Sequence, residues 1–532
     1  MRGADLLIQS LVEAGITRIF SLSGNQIMPV YDACLAAGVE IVHTRHEAAA
    51  VYMAEAYAQL TGQVGVALVT AGAGATNAVG PLFSASESET PLLLLTGDSP
   101  VAQDGMGAFQ EMAQLPVIEP LVKLSLRPRK ASGLSSDFAQ ALQAARSGRQ
   151  GPVHIALPFD IVEEIVPENS LSISAASFQR DHSVPGAQDI SSILRALEEA
   201  QRPVVLCGPS LNATRFPALA ELAEAIDAPV IPMESPRGLK DPALGGVQRV
   251  LRRADLILNL GKRVDFTLNF GNDTPFHADA TWIVVQPCKV ERDRAHRNLG
   301  ARLTHSIDAE ARDTAQALIK AGLRGSSHQG WRAEVADLLA QRNRADAGEV
   351  KITPAQLCAA VQRQIHKADE AVLVCDGGEF GQWAQAMLTA PARIINGISG
   401  AIGGGLCYGI AARFARKNAT VFSLMGDGTV GFHFAEFETA AREGVPNVVV
   451  IGNDQRWNAE HQIQMRDYGA DRLIGCQLSQ ARYDLAAQAL GGHGEFVTEL
   501  GQLDAALDRA VASGKPACVN VMIEGLPAPS FS

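Results

Sequence analysis

Asp427 and Asp454 stand 27 positions apart, each in a polar cluster that closes an apolar run. Val421–Met425 runs into Gly426-Asp427-Gly428, and the β-branched run Val448–Ile451 runs into Gly452-Asn453-Asp454. Between them lies a helix-length segment with apolar residues at Val430, Phe434, Phe437 and Ala441, stopped by Gly444-Val445-Pro446. Both clusters thus leave the carboxyl ends of strands, where open α/β sheets bind ligands. Two carboxylates there, with a main-chain carbonyl that we place at Arg456, suit Mg²⁺, which keeps few protein ligands and takes the rest from phosphates and water. A glycine turn and an Asx turn also form for purely local reasons. The complete strand–turn–helix–strand–turn arrangement is what points to a metal.

That arrangement resembles the signature of thiamine diphosphate (ThDP) enzymes, in which Gly-Asp-Gly is followed by a helix, a strand and an Asn-Asn-type pair. The second member of the pair is usually Asn. Here it is Asp454, which keeps an oxygen ligand and adds a negative charge. A second match is RHEAAAVYMAEAYAQLTG followed by GVALVTAGAGATNAVGP. It is similar to the pyrimidine-binding domain of the branch that holds acetolactate synthase, benzaldehyde lyase and 2-hydroxyacyl-CoA lyase. The resemblance implies that Glu47 hydrogen-bonds the aminopyrimidine and so assists removal of the thiazolium C2 proton, which is too weakly acidic to leave unaided at neutral pH. Taken alone, Glu47 is equally a first-turn carboxylate favoured by the helix dipole.

Further expectations come from the same resemblance. Phe109-Gln110-Glu111 matches a family motif whose Gln, here Gln110, points at the reaction centre. In the turn Ser23-Gly24-Asn25-Gln26, Asn25 and Gln26 offer hydrogen bonds to a substrate carbonyl or hydroxyl, and equally suit a plain turn. Ala73 and Asn77 lie in a small-residue turn on the same rim. Gly378, Glu379 and Phe380 open a helix whose free N–H groups suit a diphosphate. In Gly397–Leu406, the carbonyl of Gly400 is the implied partner of the aminopyrimidine, and Ile402 is the wedge that bends the cofactor. Gly426, Asp427, Gly428, Thr429, Trp457 and Asn458 complete the implied cofactor contacts.

These residues need elements to hold them. Strand and helix alternate along most of the 532 residues, the pattern of parallel sheets. We expect an α/β protein of three doubly wound parallel-sheet domains: a pyrimidine-binding domain (1–165), a central Rossmann-like domain (185–325) and a diphosphate- and Mg-binding domain (350–532). A linker rich in Pro, Ser and acids covers 160–190, and a helix at Trp331–Arg342 belongs to a second linker. The central domain opens with Pro203–Cys207 and Gly208-Pro209-Ser210, which lacks the GxGxxG dinucleotide fingerprint. Relatives carry FAD, ADP or nothing there. FAD or ADP is open here but not favoured, and a structural role is preferred.

Composition bounds the rest. The chain is 47% hydrophobic and 19% charged, with a net charge of −12 that speaks against nucleic acid. Its eight cysteines form no CxxC pair and read as small buried residues of a reducing compartment. The N-terminal segment is an amphipathic helix with acids, unlike a signal peptide, and Pro91–Thr96 is too short to span a bilayer. A soluble cytoplasmic protein is expected, with no membrane or nucleic-acid partner.

The resemblance implies an Mg²⁺- and ThDP-dependent lyase or carboligase that acts next to the carbonyl of a small-molecule substrate. In the family the cofactor lies between two subunits, so a homodimer is the minimum and a homotetramer is usual. Acetolactate synthase-type carboligation and 2-oxoacid decarboxylation are the alternatives; a non-catalytic binding subunit would have been marked by loss of Glu47 or Asp427. Acetolactate synthases bind their acceptor through the Arg of a GxRFDDR segment. The matching segment here, Gly261-Lys262-Arg263-Val264-Asp265-Phe266-Thr267, has Thr267 in that place, and Ile463 stands near the place of the acceptor-selecting Trp. RVDFTLNFG is more like the acyl-CoA lyase and decarboxylase branch.

Overall fold

The computed structural model describes residues 1–168, 170, 173–323, 328–341 and 351–529. Position 325, position 350 and Arg342, which bound expected elements, lie outside them. The described residues form three parallel sheets. In the first, the strands Glu40–His43, Arg18–Ser21, Gly65–Val69, Leu92–Asp98, Pro152–Pro158 and Ser125–Leu126 lie side by side in that order. The central sheet has the order Leu303–Ile307, Thr281–Val285, Leu256–Leu260, Pro203–Cys207, Val230–Pro232. The third runs Ala392–Ile395, Ala371–Cys375, Thr420–Gly426, Val448–Asn453, Ala517–Met522, His493–Val497. Every pairing within them is parallel, as in Leu424 opposite Val450.

Central strands such as Leu92–Asp98 and Val448–Asn453 are buried along their whole length because helices cover both faces. Each fully buried Leu, Ile or Val there stabilises the fold by ~1.5–3 kcal/mol before entropy is counted. Local signals set the helix starts. Thr353 caps Pro354–Lys367 through Gln356 N–H, and the Gln356 side chain accepts the Thr353 N–H in return. The segment after Asp427 departs from expectation. It is three short pieces, Asp427–Val430, Gly431–His433 and Glu436–Arg442, in place of one helix. Gly428 and Gly431 are poor helix formers in its first two turns, and a Cβ at Gly428 would meet the Trp457 ring at 2.8 Å. Strands Leu303–Ile307 and Ser125–Leu126 were not anticipated. All eight cysteines are free and seven are buried. No helix among the described residues is long and apolar enough to cross a membrane.

The first and third domains share one hydrophobic core. Helix Glu47–Thr61 of the first packs on helix Gly405–Ala415 of the third, through Ala49, Met53 and Ala56 on one side and Leu406 and Ile410 on the other. The alanine run of the first helix lets the two approach closely. Inside this contact Glu55 is fully buried and accepts the Tyr408 hydroxyl at 2.9 Å and the Gln59 amide at 3.2 Å. The central domain is joined to its neighbours by arginines. Arg215 donates to the carbonyls of Ser88 at 2.6 Å and Glu89 at 2.5 Å, and Arg393 pairs with Glu234 at 2.5 Å.

Burial raises the Glu55 carboxyl to about 7 from an ordinary value of 4.5, against the hydrogen bonds that favour its charge. The folded protein thus holds a proton there that the unfolded chain has already lost. Stability from this group falls as pH rises from about 4.5 through about 7. Glu55→Gln should therefore gain thermal stability relative to wild type as pH goes from 5 to 8. Melting curves across that range check this; a parallel pH dependence in the two proteins would contradict it.

Candidate active site

The third domain gathers its expected residues in one cleft of about 220 Å³. Gly378, Glu379, Phe380, Gly400, Ile402, Gly426, Asp427, Gly428, Thr429, Asp454, Arg456, Trp457 and Asn458 all line it. Each comes from a turn or segment that follows the carboxyl end of a strand, because the sheet is parallel. Close packing shapes the walls. A Cβ at Gly452 would stand 2.6 Å from the Phe380 ring, and one at Gly377 would stand 2.5 Å from Ile402.

Asp427 is 2% exposed, and its Oδ2 has no hydrogen-bond partner among the described residues. Burial raises its carboxyl above the ordinary range, against main-chain N–H groups of Asp454 and Arg456. Burial raises Asp454 too, and the Asp427 charge beside it adds to the effect. A buried carboxylate oxygen with no partner, beside a second carboxylate, has the chemistry of a cation ligand. Asp376, which the sequence reading passed over, braces the glycine segment. It is fully buried, is raised to about 6 by burial, and accepts N–H groups of Gly377 at 2.8 Å and Gly403 at 3.0 Å.

Two features of the cleft carry no sequence motif. Pro236 and Arg237 of the central domain line it. The Arg237 guanidinium donates to Glu379 at 2.8 Å, and the other Glu379 oxygen takes the N–H of Ala528 at 2.9 Å. The Glu379 carboxylate is therefore tied to the central domain and the C-terminal segment, while its main chain opens helix Gly378–Met387. Asn458 likewise donates to the carbonyl of Leu526 at 3.1 Å.

The first-domain residues form a second group. Glu47 is the first residue of helix Glu47–Thr61 and is buried. Its Oε2 accepts the Asn77 amide at 3.0 Å, and Oε1 lies 3.5 Å from where a Gly74 Cβ would be. The Thr70 hydroxyl donates to Gln26 Oε1 at 2.6 Å, and Gln26 Nε2 donates to Gln110 Oε1 at 2.9 Å. Gln110 has φ of 59°, a left-handed backbone that only a well-braced turn retains. Ala73 opens the short helix Ala73–Asn77, and Asn25 is exposed at the start of the Asn25–Ile27 turn. None of these first-domain residues is among those lining the third-domain cleft.

Comparison with known proteins follows the same division. Residues 1–117 match the thiamine pyrophosphate enzyme N-terminal TPP binding domain, residues 190–318 the central domain and residues 376–521 the C-terminal TPP binding domain. A probable acetolactate synthase of Mycobacterium bovis is 31% identical over 98% of this chain and 96% of its own length. The 2-hydroxyacyl-CoA lyase 2 of Homo sapiens is 27% identical over 98% of this chain and 90% of its own. The acetolactate synthase isozyme 2 large subunit of Escherichia coli K12 is 28% identical over 99% and 96%. With the expected residues standing in two strand-end groups, and with family matches across all three domains, the chain belongs to the thiamine pyrophosphate enzymes.

Proposed function

We propose that this enzyme uses ThDP with Mg²⁺ to cleave or form a carbon–carbon bond next to a carbonyl, on a 2-hydroxy ketone or a 2-hydroxyacyl-CoA. The observation that carries the metal is the unpartnered, buried Oδ2 of Asp427 beside Asp454. The donor set suits Mg²⁺: two carboxylates and the Arg456 carbonyl, in a cleft with room for phosphate oxygens. The free N–H groups at the start of helix Gly378–Met387 suit the diphosphate. Bound ThDP supplies an acidic carbon and an electron sink for the carbon next to the carbonyl.

The chain's own residues do the rest. Glu47 holds and releases a proton at its carboxylate, oriented by the Asn77 amide. The Thr70–Gln26–Gln110 chain of hydrogen bonds fixes Gln110 so that its amide N–H groups can donate to a substrate oxygen. Because Glu47 does not line its own chain's cleft, it serves the cleft of a second subunit on this reading. A homodimer is then the smallest active unit, and a homotetramer follows the family resemblance. We read the compartment as cytoplasmic.

The central domain is read as structural. The crevice at its strand ends is crossed by Arg149, Arg215 and Arg312 with Glu89 and Glu310, around a cavity of about 40 Å³ against about 220 Å³ in the cleft. Substrate choice rests on the same domain. Thr267 is buried and its hydroxyl is bonded to Asp265 at 2.5 Å, so it presents no cation to a 2-oxoacid. Lys262 is fully buried, and Arg263 is paired with Glu87 and Asp265. A Thr cannot replace the bidentate Arg–carboxylate pair of acetolactate synthases. Acetolactate-type carboligation is the second reading, favoured by Arg237, whose guanidinium reaches the cleft.

Three outcomes test this. Asp427→Ala should abolish measurable ThDP binding in calorimetry while the circular dichroism spectrum stays that of wild type; unchanged affinity would remove the metal assignment. Glu47→Gln should bind ThDP yet slow hydrogen–deuterium exchange at C2 of the cofactor by ~10²-fold. An exchange rate equal to wild type would refute the acid–base role. With ThDP and Mg²⁺, cleavage of a 2-hydroxy ketone or 2-hydroxyacyl-CoA should exceed acetolactate formation from pyruvate by ~10²-fold in kcat/KM. Efficient acetolactate formation with neither cleavage would favour the second reading instead.

A further inference from the structure

Glu436 takes no part in the chemistry described so far, yet it is 1% exposed and lies nine residues after Asp427 in the chain. Its carboxylate crosses from the third domain to the first. Oε1 accepts the N–H of Arg45 at 3.0 Å and Oε2 stands 3.2 Å from the same nitrogen. The Thr439 hydroxyl holds Oε2 at 2.6 Å, and the chain runs on from Arg45 through His46 to Glu47. Around this contact the third domain grips the same turn again. Arg442 donates to the carbonyl of His43, and the His433 ring lies 5.6 Å from the rings of both His46 and Tyr52.

The first N–H groups of a helix have no partner within it, and an anion there is favoured by the helix dipole. In helix Glu47–Thr61 the His46 side chain takes the N–H of Ala48 at 3.1 Å. The N–H of Arg45, two residues before Glu47, is instead held by a carboxylate 391 residues away in sequence. A buried carboxylate that also takes the Thr439 hydroxyl allows its partners little movement.

We propose that Glu436 is a positioning residue for Glu47: it fixes the Arg45–His46 main chain, so the segment that begins at Asp427 sets where the Glu47 carboxyl points. The inference rests on the acid–base assignment of Glu47 above. It also gives each chain a direct mechanical link between its metal-bearing turn and the Glu47 that it lends to a second subunit. A displacement of about 1 Å in a catalytic group can cost on the order of 10²-fold in rate, so a modest loosening here has a readable effect.

The test uses the full-length protein carrying Glu436→Gln, which keeps the side-chain volume and replaces one accepting oxygen by an NH₂ group. Three readouts are taken: amide hydrogen exchange of residues 44–52 in the protein without cofactor, ThDP affinity with Mg²⁺, and C2 exchange of bound ThDP. We expect faster amide exchange confined to that segment, ThDP affinity within about threefold of wild type, and C2 exchange slowed by about tenfold or more. Glu436→Asp, which keeps the charge, should recover part of the C2 rate, and it carries the test if Glu436→Gln does not fold. Wild-type C2 exchange in the variant would overturn the proposal. So would a loss of ThDP affinity in step with C2 exchange, which marks general damage to the domain contact. Glu47→Gln, measured alongside, separates the two claims. Unchanged C2 exchange in Glu47→Gln removes the underlying assignment, whereas slow exchange there with an unaffected Glu436→Gln removes the positioning role alone.

Discussion

Asp427 and Asp454 stand side by side in one cleft, where burial raises both carboxyls and the Asp427 charge raises that of Asp454 further. Much of the third domain can be understood as the frame for that constraint. Parallel strands bring the turns after Gly426 and Asn453 to one edge of the sheet. Glycines at 428 and 452 let the Trp457 and Phe380 rings close the walls. Asp376 gathers the N–H groups of Gly377 and Gly403 and so holds a third turn beside the first two. A cleft with an unpartnered Asp427 oxygen beside a second carboxylate suits a ligand that arrives with its own cation.

The first domain solves a different problem. On the proposed reading Glu47 moves a proton, a task that needs a carboxyl held at one place, and Glu47 is held from both ends. Its helix is locked by the packing of Ala49, Met53 and Ala56 on Leu406 and Ile410. Its side chain is oriented by Asn77. The interface that locks the helix carries two carboxyls raised to about 7 by burial, Glu55 and Glu436. The contact between domains thus includes buried polar groups among its apolar ones, which makes its geometry specific rather than merely adhesive.

What could be read from the sequence was what is local. The Gly-Asp-Gly turn, the Asx turn after Val448–Ile451 and the alternation of strand and helix are short-range patterns, and together with the family resemblance they pointed to the third-domain residues that line one cleft. Pro203–Cys207, which opens the central domain, is a strand with those limits. The long-range pairs were not legible. Tyr408 and Glu55 are 353 residues apart, and Arg45 and Glu436 are 391 apart. No periodicity or motif marks such a partner. Arg237 was missed for the same reason: it is one cation on an irregular loop, and only the packing of the central domain brings it to the cleft. The expected single helix after Asp427 failed because apolar spacing outweighed two glycines in the reading, and close packing on Trp457 outweighs the spacing in the fold.

We propose that Asp427 and Asp454 hold a cation that in turn holds the cofactor. Linkage gives it a quantitative form: if Mg²⁺ bridges protein and diphosphate, each ligand must tighten the other by the same factor. Calorimetric titration of the wild-type protein with ThDP over a series of free Mg²⁺ concentrations, and with Mg²⁺ over a series of ThDP concentrations, measures both factors. Strong and equal mutual tightening is expected, with ThDP binding lost in a chelator. ThDP affinity that does not change between saturating Mg²⁺ and chelator would contradict it.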